Sequence, residues 1–115
     1  MFGASPIAKI EKYAKKGKSD KLAGYLKNKD VSVRIAAIKA LGQCEDELAY
    51  NTLASLMTEG SAEERIAVFE SLGKLGKSQS FSLFSHYVGS ESDPRVKQAR
   101  NDALVALRQK IPHGA

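Results

Sequence analysis

The chain has 115 residues, of which 43% are hydrophobic and 27% are charged, and its net charge is +5. This composition is typical of a folded globular domain and excludes an intrinsically disordered chain, so we expect a single domain over residues 1–115. No apolar run approaches the roughly 20 residues that a membrane helix needs, and the first residues lack the pattern of a signal peptide. Cys44 is the only cysteine, which excludes an intrachain disulfide, and we expect a cytoplasmic protein.

The charge is distributed unevenly along the chain. Residues 1–30 carry a net charge of +5, residues 31–93 carry −4 and residues 94–115 carry +4. A nucleic-acid-binding surface needs several cations on one continuous face, because each contacts a phosphate. The acidic centre argues against such a continuous stripe.

The first three predicted elements are helices. Ser5 is an N-cap and Pro6 a first helical residue, so a helix is expected over about 5–16. Ser19 or Asp20 is expected to cap a short second helix. Asp30 is expected to cap a third helix that runs to about residue 43.

The remaining elements are also predicted to be helical. A fourth helix is expected over about 46–58, and a fifth begins after Ser61 and ends near residue 72, with a loop over 73–78. A sixth carries Phe81 and Phe84. The Asp93-Pro94 pair opens a seventh helix that runs to about 110, followed by a frayed tail at 112–115. The sequence therefore predicts an all-α fold.

One segment recurs three times. Residues 30–42 (DVSVRIAAIKALG) are repeated thirty-one residues later at 61–73 (SAEERIAVFESLG) and a further thirty-two later at 93–104 (DPRVKQARNDAL). A fixed period of this length is typical of a solenoid, in which each unit buries its apolar face against its neighbours. We predict about seven helices: an N-terminal capping helix and three helix pairs at about 19–43, 46–73 and 78–110.

These segments resemble the second helix of HEAT repeats, most closely the short phycobilisome-lyase-type variety, over roughly residues 19–111. The resemblance implies a right-handed α-α superhelix. It also implies that the Arg side chain of each unit pairs with Asp side chains of neighbouring units. We call this series of contacts along the stack the arginine ladder. Ser61 replaces the Asp of the middle unit. The structural motif positions are Asp30, Arg34, Arg65, Asp93 and Lys97.

Three faces can be assigned on the repeated helices from their 100° per residue spacing. The own-repeat core face of the first copy consists of Val33, Ala37, Ala40, Leu41 and Cys44. A second face, Ile35 and Ile38 in the first copy and Ile66 and Phe69 in the second, is expected to pack against the next unit. The third copy has Gln98 and Asn101 there, which suits the last unit of a stack.

A third stripe is the candidate binding surface. In HEAT-type solenoids the second helices line the concave side, so the resemblance places this stripe in a groove. Alanine is central in each unit, and the mixed charges around it suit a polypeptide partner better than a polyanion, unless the stripe is merely a solvated helix face. The predicted contact residues are Ser32, Lys39, Gln43, Glu63, Glu70, Lys74, Arg95 and Asp102.

Two rival functions remain open. Lys9, Lys12 and Lys16 share one face of the first helix and could bind nucleic acid or an anionic membrane. Some related folds are enzymes, such as bilin lyase components or DNA glycosylases. However, His86 and His113 are far apart in sequence, and no residues have catalytic or metal-ligand spacing. We therefore predict a non-catalytic protein-binding adaptor without a cofactor or metal.

Overall fold

The computed structural model describes residues 5–111, apart from the side chain of Val88. These residues form seven α-helices: α1 (Pro6–Lys15), α2 (Ser19–Ala23), α3 (Val31–Leu41), α4 (Glu47–Ser55), α5 (Ala62–Leu75), α6 (Gln79–His86) and α7 (Pro94–Lys110). Short 3₁₀ helices follow α2 at Gly24–Lys27 and α6 at Val88–Ser90. The all-helical prediction is confirmed; the predicted frayed tail lies outside the described residues.

Side-chain caps begin five of these helices, as the sequence predicts for four of them. Each capping oxygen accepts a hydrogen bond from a backbone N–H of the first turn, which would otherwise lack a partner. At α3, for example, the N–H of Ser32 donates to Asp30 Oδ1 over 2.9 Å. The five caps are Ser5, Asp30, Asp46, Ser61 and Asp93.

The predicted cap of α2 is wrong. Ser19 is the first residue of α2 and is buried, while Lys18 occupies the N-cap position without a side-chain hydrogen bond. The Ser19 hydroxyl instead donates to Asp46 Oδ2 over 2.6 Å. Because the other oxygen of Asp46 caps α4, this carboxylate joins the starts of α2 and α4.

The predicted end of α5 is also wrong. The helix continues through Gly73 to Leu75 and ends at Gly76, whose φ of 65° is the left-handed conformation that glycine favours. Gly73 lies against α7, where a Cβ added to it would come within 3.2 Å of Ala103. Gly73 therefore serves close helix packing rather than helix termination.

The helices form two layers, capped at one end by α1. α3, α5 and α7 lie side by side and run parallel. Arg34 pairs with Glu64 near the starts of α3 and α5, and Gly42 packs on Ser71 near their ends. Glu63 pairs with Arg95 near the starts of α5 and α7, and Gly73 packs on Ala103 further along. α2, α4 and α6 form the other layer. α1 packs against α3, so the order along the inner layer is α1, α3, α5, α7.

The core agrees with the predicted own-repeat face, and the inter-unit face agrees in part, since Ile35 and Ile66 are only half-buried. All five residues of the predicted own-repeat face, from Val33 to Cys44, are buried. On the second face Ile38 and Phe69 are buried, and the Phe69 ring meets Phe84 of α6 edge to face with centroids 5.2 Å apart. The corresponding Gln98 and Asn101 are exposed.

Candidate functional site

The parallel packing of α3, α5 and α7 builds a groove on the inner layer. We call the exposed surface that these three helices share the inner groove. Small residues at the contacts bring the helices close together: an added Cβ at Gly42 would lie 2.8 Å from the Cβ of Ser71. Small side chains also form the floor, since Ala67 and Ala99 occupy equivalent central positions on α5 and α7.

The inner groove contains a hollow of about 360 Å³ between α5 and α7. We call it the α5–α7 hollow. Its apolar lining is Ile66, Ala99, Ala103 and Ala106, and its polar lining is Glu70, Lys74, Arg95, Gln98 and Asp102. The arrangement is an apolar floor with charged walls of both signs.

Four of the eight predicted contact residues meet at this hollow, and two more lie beside it. Glu70, Lys74, Arg95 and Asp102 line the hollow itself. Lys39 and Glu63 line an adjoining depression between α3 and α5, together with Glu70.

The other two predicted residues lie elsewhere. Ser32 lies at the start of α3, where its hydroxyl donates a hydrogen bond to Asp30 Oδ1 over 2.8 Å. Gln43 lies at the α1 end of the inner layer, beside Glu11 and Lys15.

Three residues of the hollow were not predicted from the sequence. Ile66 and Gln98 were assigned to inter-unit and end faces, and Ala103 was assigned no role at the surface. Each lies four residues from a predicted lining residue, namely Glu70, Asp102 and Ala99. Residues four apart are neighbours on a helix surface, so a wider stripe would have included them.

Arg95 is held in place by two carboxylates. Its guanidinium donates to Glu63 Oε2 over 2.9 Å and to Asp93 Oδ2 over 3.0 Å. These hydrogen bonds, that to Asp93 first and that to Glu63 second, raise the pKa of Arg95. The charge of Arg95 is thereby offset within the wall, and the side chain links the start of α7 to the start of α5.

The implied arginine ladder exists, but its acceptors are glutamates. Arg34 donates to both oxygens of Glu64 over 2.9 and 3.2 Å, and Arg65 donates to both oxygens of Glu91 over 2.7 and 3.1 Å. The implied Asp partners are therefore wrong. Each arginine also donates to the carbonyl oxygen of the turn before its helix, at Asn28 or Gly60. Bidentate pairs of this kind fix geometry as well as charge.

The pKa of the Glu64 carboxyl group is strongly lowered. The hydrogen bonds from Arg34 lower its pKa to about 2, against the opposing effect of burial. Glu64 also closes a capping box with Ser61, because its Oε1 accepts the backbone N–H of Ser61 over 3.1 Å. In the middle unit Ser61 therefore caps the helix in place of the missing Asp, and Glu64 supplies the acceptor for Arg34.

The remaining motif positions have simpler roles. Asp30 and Asp93 are helix caps, as predicted. Lys97, which stands where the motif has Arg, is exposed. Cys44 is buried, and burial is the main reason that the pKa of its thiol is raised, which makes it an unreactive core residue.

The basic face lies at the opposite end of the inner layer from the α5–α7 hollow. Lys9 and Lys12 of α1, and Lys16 at its C-cap, are all exposed. α1 contacts α3, so two helices separate it from α7. The two candidate surfaces are therefore spatially distinct.

Among residues 5–111, no group of three or more His, Cys, Asp or Glu side chains is arranged to hold a metal ion. His86 is exposed on α6, and the centroid of its ring lies 5.0 Å from that of Tyr87. His113 lies outside the described residues. In the same part of the chain no helix is long and apolar enough to cross a bilayer.

Comparison with known proteins identifies the class. The family model of HEAT repeats matches residues 19–105, which is most of the chain. No curated protein gives a significant match. The protein belongs to the HEAT-repeat family, whose members are generally non-enzymatic and commonly serve as scaffolds for protein interactions.

Proposed function

We propose that this chain is a single HEAT-like domain that acts as a non-catalytic adaptor and binds a polypeptide segment along the inner groove. The observation that carries the proposal is the α5–α7 hollow, with its alanine floor and charged walls. Six of the eight residues predicted from the sequence lie along this hollow and the adjoining depression.

The size of the hollow supports a polypeptide ligand. Small-molecule sites in proteins have volumes of about 300–1,000 Å³ and enclose most of their ligand. The hollow, at about 360 Å³, is at the lower end of this range and open to solvent. It suits one or two side chains of a segment that continues along the neighbouring depression.

The charges of the groove support the same ligand class. Lys39 and Lys74 are exposed cations, and Glu70 and Asp102 are exposed anions on the same surface. A polyanion would be repelled by the carboxylates, whereas a polypeptide can present both signs in a matching order. The ion pairs Arg34–Glu64 and Arg65–Glu91 hold the helices in place, which reduces the entropy lost on binding.

A displayed library of random dodecapeptides, selected on the immobilised protein, tests the proposal. Ala106→Phe fills the hollow, and Val105→Phe is its matched control because Val105 is the adjacent, exposed residue of α7. We expect selected peptides to bind the wild-type protein and V105F alike, and A106F at least about tenfold more weakly. Enrichment of no peptide, or equal binding to A106F, would contradict a binding role for the groove.

The basic face supports a second candidate, the binding of nucleic acid or an anionic membrane. Lys9, Lys12 and Lys16 are exposed on one side of α1, and none forms an ion pair within residues 5–111. This function predicts binding that weakens steeply with salt. It is less well supported, because the acidic middle of the chain interrupts any longer basic surface.

A further inference from the structure

The middle of the α5–α7 hollow is acidic. Glu70 of α5 and Asp102 of α7 occupy equivalent positions in their repeats, and both line the hollow. Because α5 and α7 are parallel and in register, the two carboxylates stand on opposite walls. Both are exposed, so each can reach a ligand that enters from solvent.

Neither carboxylate is neutralised by the protein. Glu70 has no ion-pair partner among the described residues, and Asp102 accepts one hydrogen bond, from Gln98 Nε2 over 2.9 Å. A carboxylate offers about four acceptor positions, so both groups keep most of their capacity.

Two cations also line the hollow. The charge of Arg95 is offset by Glu63 and Asp93, with which it forms ion pairs. Lys74, one helical turn beyond Glu70, is exposed and forms no ion pair among the described residues. The side chains of the hollow without an ion-pair partner are therefore two carboxylates and one ammonium group, so their net charge is negative.

The floor beneath these carboxylates is apolar, with Ala99, Ala103 and Ala106 on one side and Ile66 on the other. A ligand group that fits both features must combine an aliphatic stem with a cationic end. Arginine and lysine side chains have this form, and they cover apolar surface with their methylenes while the charge stays at the rim. Arginine is favoured, since its planar guanidinium carries five donors that can serve two carboxylates at once.

We propose that the α5–α7 hollow is a subsite for an arginine side chain of the bound polypeptide, with the stem on the alanine floor and the guanidinium between Glu70 and Asp102. This assignment rests on the proposed function of the groove and adds the chemistry of its central contact. A glutamate at this point would be repelled, and a purely aliphatic side chain would cover the two carboxylates without giving them a partner.

The test uses three small probes, the N-acetyl methylamides of arginine, norleucine and glutamate. Each is titrated into protein that carries ¹³C-labelled alanine methyl groups, and the signals of Ala99 and Ala106 are followed. We expect saturable shifts with the arginine probe at millimolar concentration and about tenfold weaker binding of the norleucine and glutamate probes.

Two variants localise the effect. Glu70→Gln with Asp102→Asn should remove the preference for arginine, whereas Glu45→Gln with Glu59→Gln, which changes two exposed carboxylates outside the groove, should leave it intact. Equal or tighter binding of norleucine or glutamate, or no saturable shift with the arginine probe, would overturn the arginine subsite. The adaptor proposal would then still stand if selected peptides lose affinity for A106F, and would fail with the subsite if they do not.

Discussion

At the scale of single residues, Glu64 explains how the middle repeat keeps its place without the usual Asp. Its carboxylate accepts hydrogen bonds from Arg34 of the preceding repeat and from Ser61 of its own helix. The Ser-x-x-Glu spacing of a capping box was present in the sequence. The pairing with Arg34 was not predictable, because it depends on the distance between two helices thirty residues apart.

Replacing Glu64 by Gln should destabilise the fold. The variant keeps one acceptor for Ser61 but loses the negative charge that Arg34 contacts, so we expect a loss of about 1–3 kcal/mol in the free energy of unfolding. Glu63→Gln is the matched control, because Glu63 pairs with Arg95 at an exposed site and should matter little. Urea denaturation measures both, and equal stability of E64Q and the wild-type protein would contradict the role of Glu64.

The same pair gives a pH signature with a defined sign. Glu64 has a pKa of about 2 in the folded protein against an ordinary value of 4.5. Its contribution to stability is therefore complete above pH 4.5 and is lost as the pH falls towards 2. The stability difference between the wild-type protein and E64Q should shrink over that interval, and a constant difference would show that the charge of Glu64 is not involved.

At the scale of elements, glycine has two different structural roles in this chain: it ends helices and it allows close helix packing. Gly42 and Gly73 occupy equivalent repeat positions, and the sequence predicts a helix that runs through Gly42 to about residue 43 and a helix that ends just before Gly73. In the structure Gly42 is the C-cap of α3 and packs against Ser71, whereas Gly73 lies inside α5 against Ala103 and Gly76 ends that helix. Sequence periodicity identified the helices and their buried faces, but it could not separate a glycine that stops a helix from one that admits a neighbour.

Gly42→Ala tests this packing role. Its Cβ would lie 2.8 Å from the Cβ and 3.0 Å from the Cα of Ser71, so α3 and α5 must move apart. We expect a loss of about 1–3 kcal/mol, measured by thermal or urea unfolding. Gly24→Ala is the control, because no atom lies within 4 Å of its added Cβ and its φ is −62°. It should be neutral or stabilising by up to about 1 kcal/mol; a G42A protein as stable as G24A would refute the close contact.

At the scale of the whole molecule, the three parallel helices place two surfaces far apart. The α5–α7 hollow lies at one end of the inner layer, and the basic face lies on α1 at the other end. Repeat alignment was enough to place most of the groove residues on one surface. It did not place Ile66, Gln98 and Ala103 in the hollow, because their position there depends on how α5 and α7 pack against each other.

The most direct test of a polypeptide-binding groove is quantitative capture from a native-host lysate, with and without nuclease. Lys39→Glu with Glu70→Lys reverses two groove charges at constant net charge, and Lys27→Glu with Glu59→Lys is the matched swap at exposed positions outside the groove. We expect specific protein partners whose capture survives nuclease, persists with the control swap and is lost with the groove swap. Captured material that disappears with nuclease, and requires Lys9, Lys12 and Lys16 instead of the groove, would contradict it.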